Sequence, residues 1–284
     1  MTLKLALPKG RILPRVEALL ADCGLKLQRG DRAYRPEVND DRLRAKIMKA
    51  QNIATLVDLG SHDFGITGHD WVQETRSEVV ELLDLGFDPV RIVAAAPAGV
   101  TLEALLARPK LIVASEYEHL TRSWLDGLGA NYQFVRSFGA TEVFPPEDAD
   151  LIVDNTSTGQ TLHDNGLQIV ATVLRSTTRI IANHAAMADP ERREIIDELM
   201  LLIRAVLDAR GRVLLEMNIR ADLLEQLIAR LPAMKSPTVA QLYGSEDYAV
   251  KVAVPRVDVP RLIPELKRLG ATDILEMALR KVVL

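Results

Sequence analysis

The sequence has one cysteine, few aromatic residues and no long apolar segment, and each shortage excludes a class of protein. Cys23 is the single cysteine, so the chain forms neither an internal disulfide nor a cysteine-rich zinc site. No apolar run approaches the roughly 20 residues of a membrane-spanning helix, and residues 1–6 lack the apolar core of a secretion signal. The formal net charge of −4 is opposite in sign to the usual nucleic-acid-binding footprint. We therefore expect a cytoplasmic protein that binds neither nucleic acid nor membrane.

Short apolar segments alternate with amphipathic ones along most of the chain. Hydrophobic residues make up 48% of the sequence and aromatic residues 4%, so the core must consist mainly of Leu, Val, Ile and Ala. Strands that alternate with helices indicate an α/β protein whose parallel sheets are covered by helices. A length of 284 residues suggests two domains or three small ones. The predicted strands up to residue 153 are Leu3–Leu7, Leu43–Met48, Asp63–Gly68, Leu82–Phe87, Val90–Ala96, Leu111–Ala114, Asn131–Ser137 and Leu151–Val153.

The segment Asp150–Leu162 has the features of a phosphate-binding loop. Its apolar strand ends at Asp154, small and hydroxyl-bearing residues follow, and a short helix is predicted over Leu162–Asn165. Glycine lets the backbone approach a ligand, and a helix start favours an anion. Asp154 suits sugar hydroxyls or Mg²⁺ better than a phosphate, because two negative charges repel. Neither a Walker signature nor a dinucleotide fingerprint is present, and an ordinary polar turn is the alternative.

Two other strand ends carry polar residues. Lys9, Gly10 and Arg11 directly follow the first strand, at the end where open α/β sheets bind ligands. Two cations beside a glycine suit an anion with several charges, such as pyrophosphate; a solvated basic turn is the alternative. Asp70 follows the strand that ends at Gly68, and it is either a ligand contact or a helix N-cap.

The last 70 or so residues have the element order β-α-β-β-α-β, which is that of a ferredoxin-like domain. The predicted elements are Arg212–Asn218, Ala221–Leu231, Thr238–Leu242, Tyr248–Val254, Val259–Leu269 and a final strand within Ile274–Val283. The five histidines show no metal-binding spacing and no G-x-S-x-G elbow accompanies them, so neither a zinc site nor a serine triad is indicated.

Together these segments resemble the long form of ATP phosphoribosyltransferase, the enzyme of the first step of histidine synthesis. The likeness extends along the whole chain, and its specificity lies in the combination of otherwise ordinary pieces. One departure is Gln160, where a small or variable residue is expected; either its side chain points away from the phosphate or the loop geometry is altered, so its role stays open. The matching segments are Leu5–Arg11, Phe64–Asp70, Asp150–Leu162 with Asn165–Leu167, Met234–Val239 with Leu242–Tyr243, and Gly270–Ala271 with Asp273–Leu275.

The resemblance implies a reaction and a set of site residues. N1 of the ATP adenine attacks C1 of phosphoribosyl pyrophosphate, and pyrophosphate leaves with Mg²⁺ carried mainly by the substrate phosphates. The catalytic residues implied are Lys9, Arg11 and Asp154, with Asp154 facing the ribose hydroxyls and the two cations facing pyrophosphate or the ATP phosphates. The substrate-binding residues implied are Gly10, Asp70, Tyr117, Thr156, Ser157, Thr158, Gly159, Gln160 and Thr161.

The resemblance also implies an architecture and a mode of regulation. It indicates a two-lobed, periplasmic-binding-protein-like catalytic region with parallel-rich sheets, followed by a ferredoxin-like (ACT-like) α+β regulatory domain. The first lobe would comprise residues 1–90 with 174–210, the second 91–173, and the regulatory domain 211–284. Histidine would bind that last domain and inhibit, and the chain would form dimers that associate into hexamers. The histidine contacts implied are Asn218, Ser236, Thr238 and Asp273, for which ordinary strand-edge polar residues are the alternative.

Two other readings compete with the enzyme. A solute-binding protein also has two α/β lobes and a cleft, but the predicted third domain and the lack of an export signal disfavour it. A phosphoribosyltransferase fold that regulates without catalysis is disfavoured because Lys9, Arg11 and Asp154 are retained.

Overall fold

The computed structural model describes residues 2–28, 30 and 34–284, which form two compact units. The first unit comprises Met1–Ala18 with Leu25–Ile195, and the second comprises Leu19–Gly24 with Ile196–Leu284. In the described ranges we find no helix that is both long and apolar enough to span a bilayer.

The described part of the first 210 residues contains twelve strands and eight α-helices. The strands are β1 (Leu3–Pro8), β2 (Leu27–Gln28), β3 (Glu37–Val38), β4 (Leu43–Met48), β5 (Phe64–Gly68), β6 (Val80–Asp84), β7 (Val90–Pro97), β8 (Leu111–Ser115), β9 (Tyr132–Arg136), β10 (Leu151–Thr156), β11 (Leu167–Ser176) and β12 (Thr178–Ala182). The helices are α1 (Leu13–Cys23), α2 (Ala50–Asp58), α3 (His69–Thr75), α4 (Leu102–Leu106), α5 (Glu118–Gly127), α6 (Gln160–Asp164), α7 (His184–Ala188) and α8 (Pro190–Arg210).

Two five-stranded sheets organise the first unit. Their strand orders are β4-β1-β5-β12-β6 and β11-β7-β10-β8-β9. In each sheet three neighbouring strands run parallel: β4, β1 and β5 in the first, and β10, β8 and β9 in the second. The remaining strands pair antiparallel, so each sheet is mixed, with three parallel strands on one side.

The middle strand of each sheet is almost wholly buried, which explains its apolar sequence. All five residues of β5 are buried, and Leu151, Ile152 and Val153 of β10 have no exposed surface. A strand covered on both faces has no solvent side, so its sequence is a continuous apolar run rather than an alternating one. The two predicted polar strand ends, before Asp70 and at Asp154, therefore lie at the centres of the two sheets.

The second unit contains one antiparallel four-stranded sheet, and its element order is the predicted β-α-β-β-α-β. The spatial order is β14-β15-β13-β16, and alternate residues of β13 are buried against the helices. The elements are β13 (Arg212–Ile219), α9 (Leu224–Ile228) after a 3₁₀ turn at Ala221–Leu223, β14 (Thr238–Gln241), β15 (Tyr248–Pro255), α10 (Val259–Arg268) after a 3₁₀ turn at Arg256–Asp258, and β16 (Thr272–Ala278).

Several predicted boundaries were wrong, each for a local reason. The helix predicted over Leu162–Asn165 is α6, which begins earlier because left-handed Gly159 is its N-cap. The strand predicted over Leu82–Phe87 is β6, which ends at Asp84 because the Asp84 carboxylate accepts the Gly86 N–H in a turn. The final strand, predicted within Ile274–Val283, begins earlier, at Thr272, and ends at Ala278, where its partner β13 begins.

Candidate functional site

Two adjoining cavities in the first unit contain most of the predicted site residues. One, of about 440 Å³, is lined by Lys9, Gly10, Arg11, Asp70 and Tyr117 among others. The other, of about 480 Å³, is lined by Asp154, Thr156, Ser157, Thr158 and Thr161 among others. Arg11, Val90 and Asn155 line both cavities. The structure therefore brings together residues from strand ends that are far apart in sequence.

The basic turn after β1 presents two cations to this cleft. Gly10 has φ +95°, a left-handed conformation that glycine adopts without steric cost, and it reverses the chain between strand and helix. The Lys9 ammonium lies 3.1 Å from the Tyr34 hydroxyl. Arg11 forms a long ion pair with Asp88, at 3.7 Å, and its side chain is 71% exposed. Both cations are thus available to an anionic ligand.

A buried polar network joins the two sheets beside the first cavity. The Tyr117 hydroxyl donates to Asp70 at 3.0 Å, and the Ser176 hydroxyl donates to the other Asp70 oxygen at 2.6 Å. Gly68 leaves room for this carboxylate, because a Cβ there would lie 2.1 Å from Asp70 Oδ1. Burial and then the Asp70 charge raise the pKa of Tyr117, so its hydroxyl stays a neutral donor. Asp70 lies in the first turn of α3, whose N-cap is Gly68, so Asp70 itself is not the N-cap.

The loop after β10 presents hydroxyls and a glycine to the second cavity. Gly159 has φ +86°, and its N–H donates to the Thr156 hydroxyl at 2.8 Å. The Thr158 hydroxyl accepts from the Gln160 N–H at 3.3 Å. The hydroxyls of Thr156 and Thr158 therefore stabilise the turn of their own loop. The Gln160 side chain donates to Asp164 at 2.6 Å and so lies along α6; neither Gly159 nor Gln160 lines the cavity.

Asp154 has an unusual protonation equilibrium. Its pKa is raised from 3.8 to about 6; burial is the largest cause, and the nearby charges of Glu116 and Glu142 act in the same direction. Hydrogen bonds from the Asn155 N–H, at 2.6 Å, and from Thr141 act in the opposite direction. Asp154 is therefore a carboxylate at neutral pH, but one that would be stabilised by a proton, a cation or donor hydroxyls.

The four predicted histidine contacts are not all brought together. Asn218 donates to Asp273 at 2.9 Å, between β13 and the edge strand β16. Thr238 lies on β14, the opposite edge of the same sheet, and Ser236 precedes it. Within one chain the structure thus forms one pair and leaves the other two residues apart.

Three residues that line the cleft were not predicted from the sequence. Ser176 and Asn155 bind Asp70 and Tyr117 respectively, the latter at 3.2 Å, and Trp71 stacks on Tyr117 with ring centroids 4.7 Å apart. Asn155 and Trp71 are sequence neighbours of the predicted residues Asp154 and Asp70, and this proximity could have been used to predict them. Ser176 is 106 positions from its partner, so no such proximity pointed to it.

Comparisons with known proteins identify the family of the chain. A family model described as ATP phosphoribosyltransferase matches residues 49–205, and one described as HisG, C-terminal domain, matches residues 209–281. ATP phosphoribosyltransferase of Pelodictyon phaeoclathratiforme is 39% identical over 286 residues, covering 99% of this chain and 97% of the relative. That of Pelotomaculum thermopropionicum is 39% identical over 288 residues, covering all of both chains.

A solved structure shares the fold. The ATP phosphoribosyl transferase (HisG:HisZ) complex from Thermotoga maritima matches with a TM-score of 0.64 and 23% identity, covering 72% of this chain and 99% of that one. The resemblance found in the sequence is thereby confirmed: the chain belongs to the ATP phosphoribosyltransferase family, the enzymes of the first step of histidine biosynthesis.

Proposed function

We propose that the two cavities form one active site, in which phosphoribosyl pyrophosphate lies across the junction and the adenine N1 of ATP attacks its C1. The observation that carries this proposal is Arg11, which lines both cavities and so links the basic turn to the hydroxyl loop. The basic turn would bind the departing pyrophosphate, and the hydroxyls of Ser157, Thr158 and Thr161 would bind the 5′-phosphate. Both are multiply charged anions, which a chain of net charge −4 can hold only where cations or neutral donors are concentrated.

Catalysis on this proposal is a matter of positioning and charge. The transition state has oxocarbenium character, so positive charge develops on the ribose while negative charge moves to pyrophosphate. Asp154, beside the ribose, would bind its hydroxyls and stabilise the positive charge, and Lys9 and Arg11 would stabilise the leaving group. Adenine N1 carries no proton, so no strong general base is required.

Mg²⁺ fits this site as an ion carried by the substrate. Among the described residues there is no group of three or more His, Cys, Asp or Glu side chains that could hold a metal by itself. Mg²⁺ commonly binds through one or two carboxylates plus substrate phosphates, and Asp154 with Glu142 lines the cavity that would receive them. Bound there, the ion would neutralise the leaving pyrophosphate.

The buried Asp70–Tyr117 pair would bind the ATP side. Tyr117→Phe removes a donor from a carboxylate that is 5% exposed, which should cost about 1–3 kcal/mol of stability. We expect KM for ATP to rise about tenfold, while KM for phosphoribosyl pyrophosphate changes much less. Tyr132→Phe is the matched control, because that hydroxyl also donates to a carboxylate, Asp126 at 2.8 Å, but at the surface. Equal losses for the two substrates would contradict the assignment.

The arrangement also supports proposals on domains, regulation and location. The two sheets of the first unit would be the catalytic lobes, close to residues 1–90 with 174–210 and 91–173, arranged as in periplasmic binding proteins. Residues 211–284 would be a ferredoxin-like, ACT-like regulatory domain that binds histidine, in a cytoplasmic protein that assembles as dimers and hexamers. Histidine would inhibit by binding one assembly state better than another. Asn218 and Asp273 lie near one edge of the sheet, and Ser236 and Thr238 lie near the other. The two pairs would therefore make separate contacts with histidine, or one histidine would be bound between two copies of the chain.

Asp273→Asn tests the histidine site. Asp273 has φ +50°, which Asn tolerates, so the fold should be retained. The substitution removes the charge that would bind the histidine ammonium, and we expect the inhibitory histidine concentration to rise at least tenfold, with uninhibited turnover unchanged. Asp222→Asn, which breaks an exposed ion pair with Arg220 in the same unit, is the control. Undiminished inhibition of the Asp273 variant would place the histidine site elsewhere.

The proposed function itself has a direct assay. The protein is mixed with ATP, phosphoribosyl pyrophosphate and Mg²⁺, and the ultraviolet change of N1-substituted adenine is followed. Product formation supports the enzyme; tight binding of either compound without turnover would favour a solute-binding or regulatory protein instead.

A further inference from the structure

A third cavity in the first unit is lined by cations, and none of its described lining residues lines the catalytic cleft. Its volume is about 900 Å³. Its charged lining consists of Lys4, Arg35, Arg44 and Lys46 against Glu37 and Asp41, with His62 beside them. Among the residues that the structure describes, four cations thus face two carboxylates, in a protein whose overall charge is −4.

Strand register places three of the cations side by side. Lys4 on β1 is paired with Arg44 on the parallel edge strand β4, and Lys46 lies two residues further along β4 on the same face. Neighbouring strands are about 4.8 Å apart and alternate residues share a face, so the positive side chains are close together. The regular sheet therefore fixes the spacing of these cations.

The buried Asp63 carboxylate is already engaged by other partners. One oxygen of Asp63 accepts the Lys4 backbone N–H at 2.7 Å, and the other binds the Arg192 guanidinium at 2.7 Å. Within the ranges that the structure describes, the ammonium groups of Lys4 and Lys46 form no ion pair. Cations that outnumber the carboxylates around them repel one another, and a multiply charged anion would relieve that repulsion.

His62 gives a second, independent indication of a ligand. Its side chain lines the cavity and is 8% exposed, and its Nδ1 is buried without a hydrogen-bond partner in the described part of the chain. Burial, followed by the charges of Lys46 and Lys4, lowers the pKa of this imidazole. A buried polar atom without a partner is costly, and a ligand or a bound water would satisfy it.

We propose that this cavity binds a small phosphorylated molecule with several negative charges, at a site separate from the catalytic cleft. The size lies within the range of small-molecule pockets, and Pro36, Val38 and Leu56 provide apolar lining for the remainder of such a ligand. A nucleic-acid strand is disfavoured by the protein's net charge and by the concave shape.

Nuclear magnetic resonance of the full chain labelled at histidine tests the site, with tripolyphosphate as the probe. His62→Gln assigns the His62 signal. We expect tripolyphosphate to shift this signal saturably and to raise the pKa of His62 by about one unit, because the anion offsets the two lysine charges. Lys9→Gln, in the catalytic cleft, should leave the response unchanged, so failure of this site and failure of the proposed active site are distinguishable.

Lys4→Gln combined with Lys46→Gln should weaken tripolyphosphate binding at least tenfold, as read from the same signal. The protein should keep its thermal midpoint, because neither lysine is in an ion pair among the described residues. An undiminished response of this variant would overturn the proposal. So would a wild-type His62 signal that does not move at millimolar tripolyphosphate, or a larger response to an oligonucleotide at equal phosphate concentration. The wild-type titration decides the question even if the double variant fails to fold.

Discussion

Asp154→Asn should lower kcat/KM for phosphoribosyl transfer by about 10²–10³-fold, the usual cost of removing one group that stabilises transition-state charge. Asn keeps an oxygen that can accept the Asn155 N–H, so the loop after β10 should hold its shape. What is lost is the negative charge that would face the ribose. Steady-state kinetics with both substrates measures the effect, and unchanged turnover would refute the role of Asp154.

The same substitution should stabilise the folded protein at neutral pH. The pKa of Asp154 is raised from 3.8 to about 6, so the folded state binds a proton more tightly than the unfolded chain does. Stability therefore falls as pH rises from about 4 to about 6, by roughly 1–3 kcal/mol for this partly buried group. The gain of the Asn variant should be present above pH 6 and absent below pH 4. Thermal midpoints across this range check the sign, with exposed Asp148→Asn as a control that should show no such gain.

Activity should show the same ionisation. If the charged form of Asp154 assists the reaction, kcat/KM falls below a pH near 6 in the wild-type enzyme. In the Asn variant, the part of this fall in kcat/KM at acidic pH that is due to Asp154 should be absent. If kcat/KM of the variant falls in the same way at acidic pH, a group other than Asp154 is responsible.

Arg11→Gln is the second substitution with a large expected effect. Arg11 lines both cavities and would contact the departing pyrophosphate, so we expect kcat/KM to fall about 10²–10³-fold. Stability should change by less than about 1 kcal/mol, because the side chain is exposed and its ion pair is long.

Arg15→Gln is a closely matched control. Arg15 forms an ion pair of the same length with the same residue, 3.7 Å to Asp88, and is also mostly exposed, but it lines neither cavity. Its substitution should change kcat/KM by no more than about twofold, since surface ion pairs contribute little. Equal losses in the two variants would mean that Arg11 acts through Asp88 rather than on the substrate.

The candidate site was predictable from sequence where its residues follow strand ends. The segments around Lys9, Asp70 and Asp154 can each be recognised from a short stretch of sequence, because an apolar strand, a glycine and a polar residue occur within a few positions. Parallel neighbours bring their carboxyl ends to one edge, so each sheet collects its own polar residues there. Ser176 could not be found in this way, since it is brought to Asp70 by the pairing of β11 with β7 in one sheet and of β12 with β5 in the other.

The order and direction of the strands could be predicted from the sequence less well than their number. The sequence indicates apolar segments of strand length, but not that β12 runs antiparallel between β5 and β6. The second unit was predictable in element order because its strands alternate buried and exposed residues. The placement of Asn218 and Thr238 depended on strand order, and the polar residue types alone carry no information about it.

A crystal structure of the enzyme with phosphoribosyl pyrophosphate tests the central claim most directly. We predict the 5′-phosphate oxygens within hydrogen-bonding distance, about 2.5–3.0 Å, of the Thr158 and Thr161 hydroxyls, with the pyrophosphate on Lys9 and Arg11 and the ribose hydroxyls on Asp154. A sugar donor bound with the loop around Gly159 far from every phosphorus atom would contradict the account.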